Sequence, residues 1–284
     1  MNQKTKRLKN LKQKQAKGET LSKEERTEKK RLHADFKNKI ASLQFGNLKP
    51  EEDYTDEEKE HVAALSSKLK QEYAQKKVTE EGHPNHPAGE AGKAMLTRMN
   101  ESHGPLTQWG LSQLDFGEQD HILDIGCGGG ACLSRLSKLV KDGTFVGIDY
   151  AKTSVEATKQ FNQSLIQDGK LQVYEASVSE MPFDDESFDK IVTVESYYFW
   201  PDFDNDMKEV FRVLKKGGHF LLIAEIYDQK TLSQEVRENI KKYNMRNLNL
   251  DQFVEVFEQT GFADIALHVK PHQRWIAVEG VKAQ

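Results

Sequence analysis

An α/β domain on a doubly wound, mostly parallel sheet, closed by a C-terminal antiparallel hairpin, is what residues 120–280 predict. Three observations carry this. Short apolar or β-branched runs alternate with helix-length segments, an order that pairs strands in parallel through crossover helices. The first run breaks abruptly into four glycines within five residues, 126-GCGGG-130. The last two runs, 264-DIALHVK-270 and 274-RWIAVEG-280, are separated only by a short turn containing Pro271, too short for a crossover.

Ahead of this domain, residues 1–80 are expected to form a charged helical extension. Of 41 basic and 45 acidic residues, 14 and 5 lie within residues 1–48, a balance of +9; the 27 and 40 that remain give −13. Ser22 with Glu25 has the pattern of a capping box, and Leu32, Phe36, Ile40 and Leu43 continue near helical spacing. A second box, Thr55 with Glu58, precedes Val62, Leu65, Leu69 and Tyr73. The apolar stripes are thin, so a solvated extension is expected. A basic arm over residues 1–48 is also a contact for nucleic acid or a protein partner. It has almost no aromatics to stack on bases and no groove-reading motif, so nucleic acid is not favoured.

Residues 81–118 are expected to form a helical lid segment. The His83-Pro84-Asn85-His86-Pro87 run cannot be helical, because proline pushes its predecessor into extended geometry. A helix should begin near Gly89 and carry Met95, Leu96 and Met99 on one side. His103-Gly104-Pro105 ends it and starts a shorter helix with Leu106, Trp109 and Leu114. His83 and His86 lack a third ligand nearby, so no metal is expected.

Residues 119–284 are expected to hold the main domain. Strands are predicted at 121–125, 144–149, 171–175, 189–194 and 218–225, each of the continuously apolar type that a parallel sheet buries on both faces. Helices are predicted at 130–140, 152–167 and 204–214. A last helix, 250-LDQFVEVFEQTGF-262, spaces Phe253, Val254 and Phe257 helically and stops at Gly261. No apolar run approaches the ~20 residues of a membrane span, and the basic N-terminus lacks the apolar stretch of a secretory signal. The two cysteines, Cys127 and Cys132, lie too close together for a useful crosslink; reduced thiols and a cytoplasmic location are expected.

Chemistry concentrates at 121-HILDIGCGGGAC-132. Gly126, Gly128 and Gly130 follow a strand and open a helix, so backbone N–H groups can approach a ligand closely. Alone, the loop also fits a dinucleotide fingerprint, Gly126-x-Gly128-x-x-Ala131. Asp124 sits two residues before the first glycine, where a carboxylate repels phosphate and attracts an ammonium. Asp149 ends the second strand, 23 residues after Gly126, where an acid can accept from ribose hydroxyls.

The stretches 122-ILDIGCGGG-130, 145-FVGIDYAKTSVEATKQ-160, 181-MPFDDESFDKIVTVES-196 and 209-EVFRVLKKGGHFLLIAE-225 together resemble a known family. It is that of the class I S-adenosylmethionine (SAM)-dependent methyltransferases of the domain 11 type, which include ubiquinone/menaquinone and sterol methyltransferases. The resemblance covers residues 85–280. It implies a Rossmann-like sheet, SAM as methyl donor and S-adenosylhomocysteine as product. It further implies that Asp124 and the backbone of Gly126, Cys127, Gly128 and Gly130 hold the methionine part. Asp149 would hold the ribose, Tyr150 would lie beside the adenine, and Ser177-Val178 would meet the adenine edge. Ser177 departs from the pattern, since many relatives carry an acid there.

Methyl transfer from a sulfonium is an in-line displacement that chiefly needs alignment and exclusion of water. A base is needed only if the nucleophile keeps a proton. The acceptor wall is expected at 195-ESYYFWPDF-203, with Glu195, Tyr197 and Tyr198 as candidate catalytic residues. With Phe199 and Trp200 the tyrosines form an aromatic cluster that suits an amine by cation–π attraction, or a flat or isoprenoid acceptor by apolar contact. Side chains alternate in extended chain, so at least half of the four are expected to pack inward. His86, His103 and Trp109 are candidate acceptor contacts from the lid. No Asn-Pro-Pro-Tyr sequence follows the fourth strand, which argues against adenine-N6 or glutamine-amide methylation. A small-molecule acceptor is the leading expectation. An RNA- or ribosome-associated methyltransferase recruited by residues 1–48 and a nicotinamide-dependent oxidoreductase are the alternatives; Asp124 and the terminal hairpin count against the latter. Acceptor identity and oligomeric state do not follow from the sequence.

Overall fold

The structure, a computed structural model, describes residues 20–31, 77–228 and 232–284, with isolated helical positions between 7 and 14 and between 67 and 75. The chain divides into two compact units, Met1–Lys76 and Lys77–Gln284.

In the first unit, residues 23–31 are helical. The expected capping box is made: Glu25 N donates to Ser22 Oγ and Ser22 N to Glu25 Oε2, both at 3.1 Å. Arg7–Glu28 and Lys14–Glu25 form exposed ion pairs at 3.0 and 2.9 Å, which solvent screens. Leu32, Phe36, Ile40 and Leu43, the Thr55–Glu58 box, and Val62, Leu65 and Leu69 lie outside the described residues. Tyr73 is helical and exposed.

The second unit opens with two helices, α1 (Gly89–Ser102) and α2 (Gly104–Leu111). Five strands then alternate with helices: β1 (His121–Ile125), α3 (Ala131–Leu139), β2 (Thr144–Asp149), α4 (Lys152–Phe161), α5 (Gln163–Gln167), β3 (Leu171–Glu175), β4 (Phe188–Val194), α6 (Phe203–Val213) and β5 (Leu214–Ala224). Two further helices, α7 (Gln234–Lys242) and α8 (Leu250–Thr260), lead to the hairpin β6 (Phe262–Val269) and β7 (Ile276–Lys282). The strands form one seven-stranded sheet in the order β3-β2-β1-β4-β5-β7-β6. Neighbours among β1 to β5 pair in parallel, and β7 runs antiparallel to both β5 and β6.

Successive strand residues point to opposite faces, so β1, β2, β4 and β5 each feed two cores, while the edge strand β3 buries only Leu171 and Val173. Leu123, Ile125, Ile148 and Leu222 pack with Met207 and Val210 of α6 and Phe253 and Phe257 of α8. On the other face Ile122, Phe145, Val192 and Leu221 pack with Leu106 of α2, Leu133 and Leu136 of α3 and Val155 of α4. Both faces are therefore covered, and the carboxyl edge of β1, β2 and β4 is left as the open rim where ligands bind in doubly wound sheets.

Three elements differ from expectation. The helix predicted over 152–167 breaks at Asn162, whose buried side chain donates to Gly130 O at 2.9 Å and Thr158 O at 3.2 Å. Strand β5 starts at Leu214, four residues early, across a register irregularity between Phe188 and Lys190. The helix α7, not expected from the sequence, has no buried residue; Ser233 Oγ caps it, accepting from Val236 N at 3.3 Å. Among the described residues, no helix is long and apolar enough to cross a membrane.

Candidate functional site

After β1 the chain turns at Gly126, which holds φ +72°; a Cβ there would lie 2.5 Å from Ser196 Cβ, so both conformation and space demand glycine. The N–H groups of Gly126 and Cys127 both donate to Ile148 O of β2, at 2.9 and 3.0 Å. The next three carbonyls are each held by a side chain. Thr158 Oγ1 donates to Gly128 O at 2.8 Å, Asn100 Nδ2 to Gly129 O at 2.9 Å and Asn162 Nδ2 to Gly130 O at 2.9 Å. Gly128, at φ +52°, has no atom nearer its Cβ position than Leu96 Cδ2 at 3.7 Å, so a ligand can come close to its backbone.

Asp124 lies within β1 and is 1% exposed, and its Oδ2 has no hydrogen-bond partner. Burial pushes its carboxyl up to about 7; a hydrogen bond with the Cys132 thiol works against that rise and the charge of Asp149 adds to it. An unpartnered buried carboxylate oxygen is costly, which marks Asp124 as a group waiting for a donor. Asp149 ends β2 and is also buried. Its Oδ2 accepts from Gly128 N at 3.0 Å and its Oδ1 from Ala151 N at 2.9 Å. It thereby braces the glycine loop while each oxygen keeps a further lone pair. Burial raises its pKa against those two backbone bonds.

A cavity of about 350 Å³ runs along this rim. Asp124, Gly126, Cys127, Gly128, Asp149, Tyr150, Ser177 and Val178 all line it. Gly130 does not: it stands at the N-cap of α3 with φ +82°, and Gly129 lines the cavity in its place. Ser177 Oγ accepts from Ser179 N at 3.2 Å, shaping its own turn. The lid segment supplies Pro84, Asn85 and Pro87 from the extended run, and Leu96, Met99, Asn100 and His103 from α1 and its end. His86 is not in the cavity wall; its ring packs on that of Tyr150, with centroids 5.2 Å apart.

At the far end stands Glu195, just beyond β4, at φ +56°. Its Oε1 accepts from Tyr198 Oη at 2.5 Å and from Glu225 N at 2.6 Å. Burial, then the charge of Glu225, pushes its carboxyl up to about 8, although Tyr198 and the Glu225 N–H favour the ionised form. His103 faces the same end; burial and then Arg98 push its ring down to about 4, so it is neutral near pH 7. Of the four aromatics, Phe199 and Trp200 line the cavity and the tyrosines do not. Tyr197 is fully buried, its ring among Phe203 and Phe253 and its hydroxyl donating to Ile226 O at 2.9 Å. Tyr198 reaches the site only through Glu195. Tyr197 and Tyr198, expected in the acceptor wall, do not line the cavity: residues 197–199 form a 3₁₀ turn, and Phe199 and Trp200 line it instead. Trp109 lies off the cavity, against Trp275. Glu225 and Asn100 escaped sequence reasoning; the one available signal was an acid directly after a buried strand, which Glu225 shares with Glu195.

A doubly wound sheet with a reversed terminal hairpin, a side-chain-free loop after β1 and buried acids ending or lying in β1 and β2 defines a class I SAM-dependent methyltransferase. Residues 123–222 match the family model described as a methyltransferase domain. The chain is 28% identical over 172 residues to the uncharacterized methyltransferase YdaC of Bacillus subtilis, covering 61% of this chain and 87% of that one. It is 26% identical over 167 residues to the fatty-acid O-methyltransferase of Mycolicibacterium smegmatis, covering 56% of this chain but only 59% of that one. Haemonchus contortus phosphoethanolamine N-methyltransferase 2, solved in complex with S-adenosyl-L-methionine, shares the fold with a TM-score of 0.59 at 16% identity, over 68% of this chain and 57% of that one.

Proposed function

We propose that this protein transfers a methyl group from SAM to a small-molecule acceptor bound between the lid and the end of β4. The observation that carries the reading is the orphaned Oδ2 of Asp124, buried beside the open backbone of Gly128 in a ligand-sized cavity. The ammonium of the methionine part satisfies that oxygen. The lone pairs left on Asp149 accept from the ribose, and Tyr150, Ser177 and Val178 flank the adenine. When bound, SAM supplies an electrophilic methyl on a sulfonium. The chain aligns the acceptor with it: Phe199 and Trp200 offer apolar or cation–π contact, and His103 and Glu195 offer hydrogen bonds. The lid segment, residues 81–118, covers the cavity and excludes water. Two free, buried cysteines, Cys127 and Cys132, support a cytoplasmic location.

Calorimetric titration of the full chain with SAM, S-adenosylhomocysteine and NAD tests the donor site. SAM and S-adenosylhomocysteine should bind and NAD should not; tight NAD binding without SAM binding overturns the reading. Incubation with methyl-labelled SAM and cell extract tests the acceptor. Label should enter the small-molecule fraction, and label in RNA instead would overturn that half of the proposal.

A further inference from the structure

Three donor side chains from separate segments meet where β4 and β5 end side by side. Glu195 follows β4, Glu225 follows β5, and His103 sits at the junction of α1 and α2. One ligand atom from each lies within 4.8 Å of the other two. The strand ends are tied together, since Glu225 N donates to Glu195 Oε1 and Glu195 N to Ile223 O, at 2.6 and 3.0 Å. Among the described residues, neither the His103 ring nor the Glu225 carboxylate makes a hydrogen bond, and no Lys or Arg nitrogen comes within 4.0 Å of either carboxylate. Glu195 Oε2 is likewise unspent. Arg98 and Arg274 act on these acids from longer range, offsetting part of their charge without occupying their donor atoms.

An imidazole and two carboxylates this close can each offer a lone pair to one cation. A cation removes the repulsion of the acids and uses all three groups at once. The set has one borderline nitrogen and two hard oxygens, which suits Mn²⁺, Fe²⁺ or Zn²⁺ better than Ca²⁺, whose ligands are all oxygen, or Cu⁺, which takes sulfur. Three protein ligands leave coordination positions open, and His103 and Glu195 both line the cavity, so those positions face its acceptor end. We propose that His103, Glu195 and Glu225 form a divalent-metal site at the acceptor end of the cavity, for a first-row cation such as Mn²⁺ or Zn²⁺. The site stands on its own geometry; only its placement beside the methyl acceptor rests on the function proposed above. Sequence reasoning looked for a metal at His83 and His86 and expected none. The trio spans more than 120 positions and needs the register of β4 with β5 to come together.

The full-length protein, stripped with EDTA, is titrated with MnCl₂ and separately with ZnCl₂ by calorimetry, and bound Mn²⁺ is counted by electron paramagnetic resonance. A single stoichiometric site is expected for at least one of the two metals. Glu225→Gln and His103→Asn should each weaken it by roughly tenfold or more, with circular dichroism unchanged. No stoichiometric uptake of either metal, or uptake equal in wild type and both variants, overturns the site. SAM is titrated in parallel. SAM binding without metal uptake refutes the metal site alone; metal uptake without SAM binding refutes the methyltransferase reading alone.

Discussion

Replacing Asp124 by Asn should make stability and ligand affinity move in opposite directions. The Asp124 carboxyl is pushed up to about 7 from an ordinary 3.8, mainly by burial. Between those values the folded protein holds a proton that the unfolded chain has released, so stability falls as pH rises through the window. At about 1.4 kcal/mol per pH unit in the middle of the window, this one group removes roughly 2–3 kcal/mol between pH 5 and pH 8. The Asn variant has no such proton. Its unfolding free energy, measured without SAM by urea denaturation and expressed relative to wild type, should therefore rise by roughly 2–3 kcal/mol from pH 5 to pH 8. An amide nitrogen left without a partner shifts both ends of the series equally, so only the slope is read. A difference that stays flat across pH would show that Asp124 does not carry a buried, unpaired charge. SAM affinity of the same variant should fall, since the amide cannot pair with an ammonium.

Other expectations follow from the same geometry. SAM affinity should peak between the Asp124 value of about 7 and the α-amino value of about 8, falling by up to about tenfold per pH unit below it. Calorimetry in buffers of different ionisation enthalpy should show proton release on binding near pH 6; absence of release would separate Asp124 from the ligand. Asp149→Ala should weaken SAM by roughly 1–3 kcal/mol and also lower apo stability, because Gly128 N and Ala151 N lose their acceptor. SAM affinity left intact would mean that the ribose lies elsewhere. Tyr197→Phe should cost about 1 kcal/mol of stability through the lost bond to Ile226 O, with SAM affinity and turnover unaltered. A collapse in turnover without a stability change would return Tyr197 to the catalytic wall.

The inner parallel strands were legible because each is buried on both faces and so reads as a continuous apolar run; the edge strand β3 alternates instead, burying only Leu171 and Val173. The hairpin was legible from chain length alone, and the glycine loop from residue types whose conformational demands are local. What stayed hidden depends on distant partners. Nothing near Asn162 announces that it breaks a helix, because its reason is the Gly130 carbonyl 32 residues away. The aromatic run was read by strand alternation, but the chain leaves extended geometry at Glu195, and a 3₁₀ turn assigned the rings differently. Gly130, expected to hold the ligand with its backbone, stands at the left-handed N-cap of α3 and does not line the cavity. Glu225 lay in plain sight at the end of a matching stretch, yet its meeting with Glu195 is set by strand register.

The side-chain-held carbonyls of the glycine loop also tie the loop to the lid. Two of their three holders, Thr158 and Asn162, sit on the α4 side, but Asn100 belongs to the lid helix α1. An outward swing of α1 therefore breaks the bond from Asn100 to Gly129 and leaves the loop's middle carbonyl bare, while its two neighbours stay clamped. Opening the cavity and slackening the cradle are then one motion, pivoting on a single amide. A spent ligand would lose its cover and the set of its cradle in the same step, and a fresh one would tighten both by closing the latch.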